Sequence, residues 1–324
     1  MSGDVRTVRA GRRTVEVHRP DKVLFPGGDG GDGGDGGEAD GKEGEHAKEY
    51  TKGDLVDYYR SVAPYLLPHV RGRPLMLERH PDGVDGPVFM QKNTPEHYPG
   101  WITRAKVAKE GGTVTHTVCD DTATLVYLAD QACLTLHRWL SRVGHPDRPD
   151  RMVFDLDPSD DNDFEPVRGA ARLLGEVLDA LKLPSGPMTT GSRGLHVVVP
   201  LDGRHGFDEV REFARDVAEL LAAGHPDRLT TAARKKDRGD RLYLDVQRNA
   251  YAQTAVAPYT VRARPGAPVA VPLSWDQLDA TDLGPRRWTI ADALDQARAR
   301  PWAGLPTRGR ALGPARRRLD ALRG

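Results

Sequence analysis

The sequence reads as an α+β protein, and three observations lead there. Between Arg151 and Gln247 the apolar pattern alternates between period two and period 3.6 in the order β-α-β-β-α-β, the split βαβ unit shared by ferredoxin-like and RRM folds. The first 145 or so residues mix strand alternation with amphipathic helices, giving an N-terminal α/β module. The acids, glycines and basic residues that interrupt the apolar strands fall where that strand order would bring them together.

Taken in order, "RTVEVHRPDKVLFP" (13–26) alternates like a strand and turns at Pro20-Asp21. The low-complexity stretch 27–49, "GGDGGDGGDGGEADGKEGEHAKE", is expected to be a disordered acidic loop inserted in the fold. A repeated calcium site fits it poorly, because the repeat has no apolar anchor. "TKGDLVDYYRSVAPYLLPHV" (51–70) opens with Thr51 and has Asp54 three residues on, the capping-box spacing, and Leu55, Tyr58, Tyr59 and Val62 recur at helical spacing. "ATLVYLADQACLTLHRWLSR" (123–142) reads as a second helix carrying His137 near Trp139. A lone histidine there is usually a packed or surface residue.

"RMVFDLD" (151–157) is the first strand of the unit, and 165–182 is a helix with Pro166 near its start. "PMTT" and "LHVVVPL" are strands flanking the tight "GSRG" turn, 207–224 is a helix ending at glycine, and "RLYLDVQ" (241–247) is the last strand. The expected organisation is one domain over 1–290, with the N-terminal module to about 145, the split βαβ module at about 150–275, and a basic tail at 291–324.

The chain has 324 residues, 38% of them hydrophobic, enough for a sizeable core. No apolar run approaches bilayer length, and "MSGDVRTVRAGRR" lacks the apolar centre of a secretory leader. Only Cys119 and Cys133 are present, with no CxxC, so a disulfide framework or thiolate zinc site is not expected and a reducing cytoplasm is. The formal charge is zero, but 27–49 holds eight acids and two lysines, leaving +6 on the rest. A moderately basic body suits a polyanionic partner; for the arginine-rich tail alone, a solvated surface is an equally good reading.

The chemistry starts at Asp155 and Asp157. Residues i and i+2 of a strand share a face, about 6.5–7 Å apart. In the split βαβ order the third strand enters between the first and second, and the first lies between the third and fourth, so Asp245 can close a triangle with the pair. Three such carboxylates would repel and take up protons unless a cation neutralised them. Oxygen donors beside a phosphate-type loop suit Mg²⁺ or Mn²⁺, and two such ions can hold the attacking and leaving oxygens of a phosphoryl transfer. Asp157-Pro158 could instead simply end the strand. The loop is "TTGSRGLH": Gly191 and Gly194 permit close approach of an anion, Ser192 offers a hydroxyl, Arg193 a fixed cation and His196 a donor. Standing alone, it would read equally well as a glycine hairpin with an exposed arginine.

"FDLDP", "TTGSRGLHVVVPL" and "LYLDVQRNAYAQTAVAPYTVRARPGAPVAVPLSW", in that order, together with "HRPDKVLFP", "TKGDLVDYY", "GRPLMLERHPDG" and "VFMQKN", resemble the polymerase domain of bacterial ATP-dependent DNA ligase D, in the archaeo-eukaryotic primase superfamily. The resemblance runs from about Val15 to about Leu278. It implies a primase-like fold and a template-directed nucleotidyltransferase of non-homologous end joining. Such an enzyme fills short gaps at DNA breaks, prefers ribonucleotides and uses two Mn²⁺ (or Mg²⁺).

By position, the resemblance makes Asp155, Asp157 and Asp245 the catalytic, metal-binding triad. It assigns Thr190, Ser192, Arg193 and His196 to the nucleotide phosphates, Phe89 to a base-stacking platform, and Lys22 and Lys52 to the 5′-phosphate of the downstream strand. His137, Asn249, Gln253 and Arg262 fall in family motifs near the nucleotide pocket, and "RKKDRGDR" (234–241) would add phosphate contacts. It further implies DNA ends and gaps, NTPs or dNTPs, a Ku protein and a separate DNA ligase as partners, a cytoplasmic, nucleoid-associated location and no membrane.

Thr190 and Arg193 stand where the family often has Ser and Lys, and Met90 replaces a second aromatic. Two other classes compete. A phosphatase of the haloacid-dehalogenase type also places DxD after an apolar strand, but expects Thr or Val where Ser159 stands, and a parallel sheet. A non-catalytic module sensing 5′-phosphorylated ends would not need the three aspartates.

Overall fold

In the computed structural model, residues 4–27, 48–109, 111–159 and 163–323 are described. The acidic stretch expected to be a disordered insert lies almost wholly outside them. The N-terminal half comprises β1 (Val5–Ala10), β2 (Arg13–His18), β3 (Val23–Phe25), β4 (Tyr50–Thr51), α1 (Lys52–Val70), β5 (Leu75–Arg79), β6 (Phe89–Gln91), β7 (Arg104–Lys109), β8 (Gly112–Thr117), α2 (Thr122–Asp130), β9 (Cys133–Trp139), β10 (Ser141–Arg142) and β11 (His145–Pro149). There follow β12 (Arg151–Asp157), α3 (Glu165–Ala180), β13 (Gly186–Thr189), β14 (Leu195–Pro200), α4 (Phe207–Gly224), β15 (Leu229–Thr230), β16 (Leu242–Asp245), β17 (Thr254–Val256), α5 (Ala293–Arg298) and α6 (Leu312–Arg323). Among the described residues no helix is long and apolar enough to cross a membrane.

Two sheets organise the molecule, in the orders β13-β14-β12-β16-β15 and β17-β9-β5-β6. Each turns one face to its own helices. In the first, Met152, Phe154 and Leu156 of β12, Leu195, Val197 and Val199 of β14 and Leu242 and Leu244 of β16 join one core with Leu174 of α3 and Phe213 of α4. In the second, Leu75 and Leu77 of β5 and Leu134 and Leu136 of β9 join another with Tyr59 and Leu66 of α1 and Leu125 of α2. Strand side chains alternate, so the intervening residues of both sheets point away from the helices. There Val153, Met188 and Val198 meet Leu140, Ala255 and Val256 in a small apolar seam between the sheets. The first sheet has the expected strand order, with β14 between β12 and β13 and β12 between β14 and β16. β15, parallel to β16, is an addition.

The capping box at α1 forms as expected: Thr51 Oγ1 accepts from Asp54 N, and Thr51 N donates to Asp54 Oδ2. The helix expected over 123–142 does not. It stops at Asp130, Ala132 takes a left-handed φ of 55°, and the chain continues as β9. In "CLTLHRW" Leu134 and Leu136 are fully buried, and β9 pairs with β5 on one side and β17 on the other. A central position in a sheet overrides helix propensity. His137 therefore lies on a strand, on the face away from α1 and α2.

The arginine-rich end also packs rather than trailing. α6 buries Leu312, Ala315 and Leu319 in the α3/α4 core, and Arg316 and Arg323 both pair with Asp216 of α4.

Candidate active site

Asp155 and Asp157 sit at the end of β12 with side chains on the face away from α3 and α4. Asp155 pairs in register with Asp245 on one side and with His196 on the other. The three aspartates can each offer one oxygen such that all lie within 4.8 Å of one another.

The local cations are unevenly shared. Asp155 is only 5% exposed; His196 Nε2 lies 3.4 Å from Oδ1, and Arg248 Nε donates to Oδ2 at 3.2 Å. Burial alone would raise the Asp155 pKa, but His196 and Arg248 outweigh it and hold it below the usual carboxylate range. Asp157 goes the other way: burial first, then the Asp155 and Asp245 charges, push it up. Asp245 accepts from Gln247 N at 2.7 Å and from the Tyr243 hydroxyl at 3.4 Å. Tyr243 is covered by the Arg238 guanidinium, 3.9 Å from the ring centre. An all-oxygen donor set with one carboxylate driven toward protonation is short of positive charge. The residues therefore fit a hard divalent cation.

Beside the triad runs the loop 190–194. Thr190 Oγ1 donates to Gly194 O at 3.0 Å and accepts from Ser192 N and Gly194 N, each at 3.3 Å. Gly191 has φ +64°, and a Cβ at Gly194 would collide with the Leu156 carbonyl oxygen. Both glycines are thus demanded by backbone, as the motif suggested. Arg262 Nη1 donates to Thr190 O at 2.6 Å and fixes the loop from the opposite side. A cleft of about 130 Å³ is lined by Asp155, Asp157, Thr190, Ser192, Arg193, His196, His137, Arg248 and Arg262.

The structure thus gathers most of the expected residues at one place. Asn249 joins them only indirectly. It is fully buried; its Oδ1 accepts from Val153 N at 2.8 Å, and its Nδ2 donates to Val153 O at 2.7 Å and Val246 O at 3.0 Å. It pins the turn carrying Arg248 onto β12 and leaves nothing for a ligand. Gln253 is exposed and outside the cleft. Phe89 is 53% exposed on the outer strand β6, flanked by exposed Val88 and Met90.

Lys22 and Lys52 are neighbours because β3 pairs with β4 and Lys52 N donates to Lys22 O at 2.8 Å. Their amines differ. Lys22 reaches Asp82 at 2.9 Å, whereas Lys52, 5% exposed, donates to His18 O at 2.8 Å and lies 3.5 Å from Asp130. In the 234–241 segment Arg238 donates to Ala232 O and Ala233 O, while Lys235 and Lys236 are exposed.

Three residues escaped the sequence reading. Arg248 stands three positions after Asp245, a spacing that in hindsight marks a turn back toward the triad. Tyr243 is the residue two before Asp245 and so on its face. Glu78 on β5 accepts from His137 Nε2 and His80 Nε2, each at 3.2 Å; its only signal is an acid in the apolar alternation "LMLER".

A family model described as "LigD, primase-polymerase domain" matches residues 51–302. The chain is 33% identical over 278 residues to the multifunctional non-homologous end joining DNA repair protein LigD of Mycobacterium tuberculosis, covering 83% of this chain and 34% of that protein. It is 32% identical over 247 residues to the bifunctional non-homologous end joining protein LigD of Bacillus subtilis, covering 76% and 39%. The chain thus spans about a third of the length of the curated relatives it matches. Among solved structures it resembles the polymerase domain of Mycobacterium tuberculosis ligase D in complex with DNA, with a TM-score of 0.74 and 33% identity, covering 78% of this chain and 90% of that one.

Proposed function

This chain belongs to the LigD primase-polymerase domain family, and from that membership we propose that it is a template-directed nucleotidyltransferase that fills short gaps at DNA double-strand breaks. The observation that carries the reading is the triad Asp155, Asp157 and Asp245, within 4.8 Å, with Asp155 and Asp157 lining a cleft that also holds three arginines and two histidines. A polyphosphate fits there because its charge meets Arg193, Arg248, Arg262 and the Thr190–Gly194 loop at once.

Asp155, Asp157 and Asp245 would hold the Mn²⁺ or Mg²⁺ ions, which supply Lewis-acid stabilisation of phosphoryl charge and activation of a hydroxyl. The chain's own residues orient the substrate. Thr190 shapes the loop so that the Ser192 and Arg193 donors meet the phosphates. Arg262 holds that loop and adds charge, and His196 keeps Asp155 ionised. Arg248, which pairs with Asp155, would be available to the anion once a bound cation met the Asp155 charge. The exposed Phe89 would stack on a base, and Lys22 with Lys52 would meet the 5′-phosphate across the gap.

Ribonucleotide preference, the Ku protein, a ligase acting on the product and a nucleoid-associated location belong to this same reading, as does an RRM-like character for the β12–β16 unit. The phosphatase alternative loses ground, because β12 is antiparallel to both of its neighbours and that class needs a parallel sheet. Nucleotide addition to a primer on a gapped, 5′-phosphorylated duplex, with and without Mn²⁺, tests the proposal.

A further inference from the structure

Glu78 is a carboxylate in the middle of a sheet strand, its side chain 18% exposed, on the face that looks toward the cleft. In the ladder it stands opposite Thr135 of β9 and Met90 of β6. His137, two residues beyond Thr135, is its diagonal neighbour on the same face. Each carboxylate oxygen is taken by one imidazole: Oε2 by His137 and Oε1 by His80, both at 3.2 Å. The charged groups that act most on His137 are Glu78 from β5, Arg262 from the segment after β17 and Arg248 from the turn after β16; Asp155, Asp157, Arg193 and His196 line the same cleft. Glu78 is the carboxylate that the ring hydrogen-bonds.

We propose that Glu78 is a positioning residue for nucleotide binding: it holds His137 by Nε2, so that the ring meets a substrate phosphate through Nδ1 in its doubly protonated form. The inference rests on the polymerase reading above. An imidazole donating Nε2–H to a carboxylate can engage a further ligand only through Nδ1. Without ligand, burial disfavours the charged ring, Glu78 partly offsets that, and Arg262 and Arg248 add to it. An arriving polyphosphate reverses the balance. The imidazolium then lies between two anions, Glu78 and the phosphate, and nucleotide binding carries one proton in from solvent to Nδ1. Glu78 itself stays ionised: burial raises its pKa, but the hydrogen bonds from His137 and His80 and the nearby Arg262 hold it at about 2.

The test compares wild type, Glu78→Gln, Glu78→Asp, His137→Ala and the double variant Glu78→Gln/His137→Ala in single-nucleotide addition. Calorimetry of a non-hydrolysable nucleoside triphosphate, in two buffers of different ionisation heat, counts protons. The expected result for Glu78→Gln is a nucleotide KM raised about tenfold with kcat within about threefold, the pattern of lost binding. Its pH profile should shift to acid and proton uptake should disappear. Glu78→Asp should recover part of both. The double variant should match His137→Ala rather than multiply the two losses.

Wild-type KM and proton uptake in Glu78→Gln, or fully multiplicative effects in the double variant, would overturn the inference while leaving the polymerase reading intact. If Glu78→Gln does not fold, His137→Ala decides alone: proton uptake on nucleotide binding equal to that of wild type would overturn the inference. A wild type that adds no nucleotide under any metal would remove the polymerase reading, and with it this role for Glu78.

Discussion

Asp155 stands directly opposite Asp245 across the β12–β16 ladder, two carboxylates on neighbouring strands of one face with Asp157 beside them. A sheet does not gain stability from such a cluster. The unfavourable charge pattern is the physical sign that the fold is built to hold something positive.

That arrangement makes Asp157→Asn a variant with opposite effects on stability and activity. The Asp157 pKa in the folded state is raised from 3.8 to about 6, by burial and by its two acidic neighbours. A raised carboxylate pKa costs nothing below pH 3.8, where both states are protonated, and its full penalty is felt above about pH 6. In chelator at pH 7.5 the variant should therefore be more stable than wild type by about 1 kcal/mol, allowing for solvent screening. The gain should vanish near pH 4, while nucleotide addition is lost. Thermal melts at the two pH values read the first effect and primer extension the second.

Gly194→Ala should destroy the loop. The added methyl meets the Leu156 carbonyl oxygen, a backbone atom that cannot give way without moving β12. A loss of about 2 kcal/mol or more is expected from such overpacking, with nucleotide affinity falling further than stability alone explains. Chemical denaturation beside nucleotide titration separates the two.

The two lysines should respond differently. Lys22 pairs with an exposed Asp82, so Lys22→Ala should weaken binding to a 5′-phosphorylated gap and flatten its salt dependence, with the melting temperature unchanged. Lys52→Ala leaves buried Asp130 short of a cation and should also cost about 2–3 kcal/mol of stability. Fluorescence anisotropy across salt concentrations and melting curves check both.

Acid should loosen the Glu78 cluster. Glu78 is depressed from 4.5 to about 2, so its contribution is fully present above pH 4.5 and is lost as pH falls toward 2. The melting temperature of Glu78→Gln should fall less steeply than that of wild type over that window. Parallel slopes would mean that the carboxylate gains nothing from its two histidines in the fold.

Much of the site could be read from the chain because strand alternation and strand order are local rules. Asp155, Asp157, His196 and Asp245 converge as soon as β12, β14 and β16 are recognised. His137 was misplaced on a helix because "TLVYLADQACLTLHRW" suits either pattern over short windows, and only pairing with β5 and β17 decides. Glu78 and Arg248 were missed because neither sits in a distinctive motif; each matters through a partner 59 or 93 residues away. Asn249 lay in a family motif, yet its amide is consumed by the β12 backbone, a fact that belongs to tertiary structure alone.

The most direct test is primer extension across a short gapped duplex with a 5′-phosphate, offering ribonucleotides or deoxyribonucleotides with Mn²⁺ or Mg²⁺, for wild type beside Asp155→Ala/Asp157→Ala. Metal-dependent addition by the wild type that the double variant loses is the expected result. Addition that survives in the double variant, or none by the wild type under either metal while the phosphorylated gap is still bound, would contradict the account.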